Sequence, residues 1–260
     1  MYPVLLSVGP VGVRTAGVVA ILAVWVAGQV AAKEFERRGE ATELGWDFLG
    51  PALLAGLIGA RVAYVLLLDP GWYLARPWQA MAAWNGGLAE EGAFLGGLGI
   101  AIWWCRKRSI SFWVFADALA PALALGGAIV HLGAFLGGTG YGTPTALPWA
   151  VTFTDPNSSA PLGIPLYPTQ LYESGLCLVL LAVLRALRPR LVQPGRQFLV
   201  FLFGSALIRL VVDPVKGDVI MVTAAMTSGQ VSALVVVIGA AAGLLRLRRS
   251  SGVAEASREA

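Results

Sequence analysis

The chain has 260 residues, of which 57% are apolar and only 13% charged, and its mean hydropathy is +0.72. Soluble globular domains carry about 25% charged residues, so the composition excludes an ordinary soluble enzyme and indicates a polytopic membrane protein. The formal net charge of +4 raises nucleic-acid binding as a function class, which the placement of the charges decides.

The first apolar segment, 15–32, follows "MYPVLLSVGPVGVR" and precedes Lys33, Arg37 and Arg38. A cleavable signal carries its positive charge before the apolar core, so this segment reads as a retained span. Further segments at 48–68, 88–105, 111–136, 168–187, 197–215 and 222–245 come close to the about 20 residues that crossing a bilayer requires. Helices are the form they must take, because an open strand edge cannot be satisfied in lipid. The expected fold is therefore all-α and polytopic, with seven transmembrane helices.

Fourteen of the nineteen basic residues fall in alternate connections. Lys33, Arg37 and Arg38 follow the first span, Arg106, Lys107 and Arg108 the third, Arg185, Arg188, Arg190 and Arg196 the fifth, and Arg246, Arg248, Arg249 and Arg258 the seventh. The positive-inside rule makes that side cytoplasmic, with the N-terminus outside and the C-terminus inside. The basic excess is thereby accounted for as a topology signal, and nucleic acid is not expected as a partner. One transmembrane domain, 1–246, is expected, with a disordered cytoplasmic tail at 247–260 whose composition is small and polar. Cys105 and Cys177 form neither a disulfide framework nor a zinc signature. There is no Walker loop or nucleophile elbow either, and no metal or cofactor is expected.

Five basic residues lie elsewhere. Arg14 and Arg76 sit near outer helix ends, where snorkelling accounts for them. Lys216 lies just past the sixth span. Arg61 in "LIGARVAYVLL" and Arg209 in "SALIRLVVDP" fall within spans, where an unpaired charge costs several kcal/mol. Each reads either as a structural ion pair or as a cation facing an anionic headgroup or substrate. Other polar residues gather at the same outer depth. They are Glu90 and Glu91 in the third span, His131 (the only histidine) in the fourth, Tyr167, Gln170, Tyr172 and Glu173 at the fifth, and Asp213 in the sixth. Agreement in depth among four helices predicts a polar cavity opening to the outer leaflet. The long connection 137–166 lacks Lys and Arg, is rich in turn residues and holds a β-rich run, "WAVTF". It reads either as a functional loop or as a loose exterior one. In "NGGLAEEGAFLGG", Gly96 and Gly97 are expected to serve close helix packing. The helix start there also offers an anion site or, for Glu90 and Glu91, a dipole partner.

Together "MYPVLLSVGPVGVRTAG", "IGARVAYVL", "WNGGLAEEGAFLGG", "ADALAPALALGGAIVHLGAFLGGTGYG", "LPWAVTF", "PLYPTQLYES", "RLVVDPVKGD" and "TSGQVSA" resemble, in order, the prolipoprotein diacylglyceryl transferases of bacterial inner membranes. Arg61, Asp117, Gln170, Tyr172, Glu173 and Arg209 fit that family's pattern. Ala16 stands at its tyrosine, Glu91 at its histidine or tyrosine, His131 at its signature arginine, Ala134 at its asparagine or cysteine, and Tyr167 at a histidine. Asp213 and Lys216 replace Glu and Arg. The resemblance implies a multi-pass inner-membrane enzyme that moves diacylglycerol from phosphatidylglycerol to the lipobox cysteine of a prolipoprotein signal peptide, releasing glycerol phosphate. The alternative is a paralogue that binds phospholipid in the same fold without that chemistry. A thiol with pKa about 8.5 must lose its proton, and a phosphate must be held, a task suited to the planar fork of arginine. The resemblance thus implies catalytic roles for His131, Glu91 and Glu173. It implies phosphate or substrate contacts from Arg209, Arg61, Tyr172, Gln170 and Lys216. His131 reads as a base paired with Glu91, as a weaker phosphate contact, or as a purely structural histidine.

Overall fold

Helices dominate the computed structural model, which describes residues 2–8, 11–68, 70–82, 87–219, 221 and 226–259, without the side chains of 8, 11, 68 and 249–259. An antiparallel hairpin of β1 (Val4–Val8) and β2 (Val11–Arg14) leads into α1 (Thr15–Arg37). Then come α2 (Glu43–Leu68), the short α3 (Pro70–Leu74) and α4 (Pro77–Met81), α5 (Glu90–Arg108) and α6 (Phe112–Gly137). After the antiparallel pair β3 (Val151–Thr152) and β4 (Pro165–Leu166) come α7 (Thr169–Leu187), α8 (Arg196–Val212) and α9 (Ser228–Glu259).

Six helices among the described residues are long and apolar enough to cross a membrane: Thr15–Arg37, Glu43–Leu67, Phe112–Gly137, Thr169–Arg190, Arg196–Val215 and Ser228–Arg248. The chain is thus a multi-pass membrane protein. The third expected span, 88–105, is a helix, α5, but its charged ends leave only Gly92–Cys105 uncharged between them. That is short of the about 20 residues a bilayer crossing uses. Of the last expected span, 222–225 lie outside the described residues, and the helix starts at Ser228. At its other end α9 continues to Glu259 through the segment read as a disordered tail. Ala, Glu and Arg are strong helix formers, and the tail contains all three. The hairpin was not legible in the apolar pattern. It is tied to α1 by Thr15, whose N–H donates to the Pro3 carbonyl at 3.0 Å and whose hydroxyl donates to that of Tyr2.

The chain divides into two compact units, Ala32–Phe115 and Met1–Ala31 with Ala116–Ala260. In the smaller unit α2 and α5 run antiparallel at very close range. A Cβ added at Gly59 would stand 2.2 Å from the Gly92 carbonyl oxygen, one at Gly92 2.1 Å from that of Gly59, and one at Gly96 2.2 Å from that of Ala55. Small residues four apart on both helices let the backbones touch, which is the main source of packing where lipid supplies no hydrophobic drive. Gly96 therefore plays the packing role expected of it. Gly97 has open space where its Cβ would be, and Gly92 is the second packing residue. An aromatic cluster closes the charged end of the pair. Phe115 stacks edge-on against Phe48 at 4.9 Å and tilts against Phe35 at 5.3 Å, and the Arg108 side chain meets Asp47 at 3.2 Å.

In the larger unit α6 is rich in alanine, and Ala116, Ala118, Ala120, Ala122, Ala124 and Ala128 are buried. Gly126, Gly133 and Gly137 on α6 receive Ala27, Val19 and Ala16 of α1. Ala16, where the resembling family has a tyrosine, is part of this small-residue seam. The start of α8 is capped from α6. The buried Asp117 carboxylate accepts the N–H of Gly195 at 2.8 Å and of Phe198 at 2.7 Å, satisfying donors that a helix start leaves open. Gly92→Leu should push α2 from α5 and destabilise the protein by about 1–3 kcal/mol, as overpacking does. Gly97→Ala should leave its thermal unfolding in detergent unchanged.

Candidate active site

The candidate side chains of the larger unit meet at one end of it, where α6 and α8 finish and α7 and α9 begin. Glu173, on the second turn of α7, is buried, and a basic side chain approaches each of its oxygens. Lys216 Nζ lies 2.8 Å from Oε1, and His131 Nδ1 lies 3.2 Å from Oε2. Lys216 is itself buried, and His131 is partly open. A buried carboxylate persists as an ion only when it is paired and hydrogen-bonded, and here both conditions are met. The pairing also orients the imidazole. With Nδ1 donating to Glu173, Nε2 of the neutral ring is left as the acceptor. One turn further along α7, Cys177 lies beside the same imidazole.

A second cluster lies one helix away. Arg209 and Asp213 share a face of α8, with Nε and Oδ1 3.9 Å apart. Asp213 is buried and accepts a 2.7 Å hydrogen bond from the Thr227 hydroxyl. The long loop between α6 and α7 is stitched onto this end. Gln170 is fully buried and its Nε2 donates to the Thr139 carbonyl at 2.9 Å, while the Thr169 hydroxyl donates to that of Gly140 at 2.6 Å. The Gly140 N–H donates to Asp218 at 2.6 Å, the Gly217 N–H to the Tyr141 carbonyl at 2.8 Å, and the Thr143 N–H to that of Val215 at 2.8 Å. Gly138 and Gly140 have φ of +78° and +66°, which glycine adopts without steric cost. The loop also has a small core of its own, Phe153, Ala160 and Leu166, packed by Tyr141 and Val151. "WAVTF" supplies β3 within it. The loop is therefore built onto the helices, and the reading as a loose exterior segment is set aside.

The sequence-derived candidates are distributed as follows. His131, Glu173 and Lys216 form one ion cluster, and Arg209 lies at the same end of the same unit. His131 meets the carboxylate of Glu173, where the sequence had offered Glu91 as its partner. Glu91 lies in the first turn of α5, in the smaller unit. Tyr172 accepts a 2.7 Å hydrogen bond from Trp149 Nε1 of the loop, and Gln170 anchors the loop from beneath. Arg61, also in the smaller unit, gives Nε, Nη1 and Nη2 to the carbonyls of Ala80, Gly87 and Gln79 at 2.9, 2.9 and 2.5 Å. Its guanidinium lies over the rings of Tyr64 and Tyr73. Three of its five donors are thus spent holding the chain that follows α2. The sequence reading passed over Thr227, Trp149 and Cys177. For Thr227 a signal existed: "TSGQ" has the form of a capping box.

The family model of the prolipoprotein diacylglyceryl transferases matches residues 3–246. The chain is 32% identical over 219 residues to the phosphatidylglycerol–prolipoprotein diacylglyceryl transferase of Bordetella avium, covering 81% of this chain and 80% of that one. It is 32% identical over 247 residues to the enzyme of that name from Synechococcus elongatus (91% and 84%). To that from Bacillus licheniformis it is 30% identical over 260 residues (97% and 94%).

Removing one partner of a buried ion pair costs about 3–5 kcal/mol because it strands the other charge. Glu173→Gln should therefore lower the thermal unfolding midpoint in detergent sharply. Glu173→Gln combined with Lys216→Met should recover much of the loss, and simple addition of the two single effects would refute the pairing.

Proposed function

The chain belongs to the prolipoprotein diacylglyceryl transferase family, and on that premise we propose that it moves the diacylglyceryl group of phosphatidylglycerol onto the lipobox cysteine of a prolipoprotein. It does so as a multi-pass protein of the bacterial inner membrane. The observation that carries this reading is the buried Glu173 carboxylate between His131 and Lys216, at the same helix ends as Arg209.

His131 Nε2, oriented by Glu173, takes the proton of the cysteine thiol. The thiolate attacks the glycerol carbon that carries the phosphodiester oxygen. The C–S bond forms as that C–O bond breaks, and its electron pair leaves on the phosphate, which departs as glycerol phosphate carrying the proton. Arg209 meets the added negative charge, since a guanidinium fork matches two phosphate oxygens and a charge placed in advance where charge develops lowers the barrier. Lys216 sets the orientation of Glu173 and adds positive potential. Tyr172 and Gln170 act through the loop, holding it over the site, and Arg61 shapes the chain following α2. Glu91, at the start of α5, is proposed to contribute a further polar group to the reaction path.

We place seven spans in the bilayer, α5 being the third, with the N-terminus and the loop outside and the C-terminus cytoplasmic. Two features support this. The antiparallel run of α2 and α5 brings the basic triplet Arg106–Arg108 to the end where α2 begins, beside Asp47. Lys107 and Arg108 also lie over Trp103 and Trp104 at 4.9 and 4.8 Å, the aromatic and basic residues typical of a membrane interface.

Expressed in a bacterium depleted of its own transferase, the chain should restore lipidation of a reporter prolipoprotein. Failure of a membrane-inserted, folded chain to do so would favour the non-catalytic phospholipid binder. In purified protein, His131→Ala should lower kcat by about 10²–10⁴, the usual worth of a general base. Arg209→Ala should abolish turnover.

A further inference from the structure

The first turn of α9 holds the pair Arg209 and Asp213 in a bracket. Thr227 precedes the helix and Gln230 lies three residues on, and they bond reciprocally. The Gln230 N–H donates to Thr227 Oγ1 at 3.0 Å, and the Thr227 N–H donates to Gln230 Oε1 at 3.0 Å. This capping box satisfies two donors of the helix start. The same hydroxyl has a second duty, since its own hydrogen goes to Asp213 Oδ2 at 2.7 Å. A Thr that only capped α9 would leave that hydrogen to any acceptor. Here it fixes the one carboxylate that faces Arg209 Nε from its own helix.

Gly229 supplies the other wall. It is buried, and a Cβ placed on it would stand 2.2 Å from Asp213 Oδ2, 2.4 Å from Arg209 Nε and 2.7 Å from Arg209 Nη2. The backbone of α9 therefore runs directly against the carboxylate and the guanidinium, and any side chain at 229 would occupy their volume. Because the guanidinium is the far end of a flexible side chain, it would yield before the fold does.

We propose that Gly229 and Thr227 are positioning residues for Arg209, fixing its guanidinium where the phosphate of the lipid donor is met. The proposal rests on Arg209 being the phosphate contact. Both residues act through Arg209 and Asp213 and touch no reacting atom. A misplacement of about 1 Å in a positioning group is enough for a hundredfold loss of rate.

The test uses the full-length chain in mixed micelles of detergent and phosphatidylglycerol, with a lipobox peptide as acceptor. The readouts are kcat, KM for the lipid and thermal unfolding. Gly229→Ala and Thr227→Val should each lower kcat/KM for phosphatidylglycerol by about tenfold to a hundredfold, with KM for the peptide near that of the parent. Thr227→Val, which also removes a helix cap, should lower the unfolding midpoint as well, and its loss of kcat/KM is read at a temperature well below that midpoint. Thr227→Ser keeps the hydroxyl and should regain most of what Thr227→Val loses. In an Arg209→Lys background, which keeps the charge but not the fork, Gly229→Ala should add little, because residues acting through one group are not additive. Parental kinetics for both Gly229→Ala and Thr227→Val, with Arg209→Ala inactive, would overturn the bracket and leave the phosphate contact standing. Full activity of Arg209→Ala would remove the phosphate contact and the bracket with it. Additive losses in the Arg209→Lys background would also overturn the bracket.

Discussion

A buried carboxylate has no water to satisfy it, and the end of the larger unit where α6 and α8 finish is organised by how Glu173 is satisfied. Its two oxygens draw an imidazole from α6 and an ammonium from the turn after α8. Three chain segments far apart in sequence must therefore end at one level for the charge to be tolerated at all. That requirement fixes the meeting point of the helices more firmly than their apolar faces can, since one leucine-rich surface in lipid is much like another. Binding energy and catalytic geometry have the same origin here. The groups that make Glu173 tolerable also place an imidazole and an ammonium at the end of the unit that carries Arg209.

The helices were legible because spanning length and uninterrupted apolarity are strong signals, and of the polar residues read at one depth, His131, Glu173, Lys216 and Arg209 come together at one end of the larger unit. What remained hidden was pairing. Nothing in the chain tells His131 to choose Glu173 over Glu91, because both are acidic residues read at the same depth. That choice depends on antiparallel register between α6 and α7, which also brings the Ser174 hydroxyl to the Ala128 carbonyl. α5 was legible as an apolar helix, but its neighbour was not, for a related reason. The sequence reading counted its apolar stretch, while its place beside α2 is secured by glycine contacts that hydropathy does not register. Arg61 was recognised as an anomalous charge, but its partners are backbone carbonyls, and backbone acceptors leave no mark in a residue pattern.

The departures from the family pattern also become intelligible as packing. His131 stands where the family has its signature arginine, yet it keeps a bond to Glu173 and a position beside Cys177. Ala16 replaces a bulky ring and rests against Gly137, at the mouth of the loop.

Asp117 lies at the end of the larger unit opposite the reaction, yet its consequence is felt there. α8 has 17 residues, about 25 Å at 1.5 Å per residue. It is held by carboxylates at both ends: Asp117 grips its first turn from α6, and Asp213 ties its last turn to Thr227. A rod fixed at two points can neither slide nor rotate freely about its axis. The angular setting of Arg209 is therefore decided partly at the opposite end of its helix. Homologues that diverge in the connection preceding α8 would then differ in how they address the lipid, even with identical residues around it.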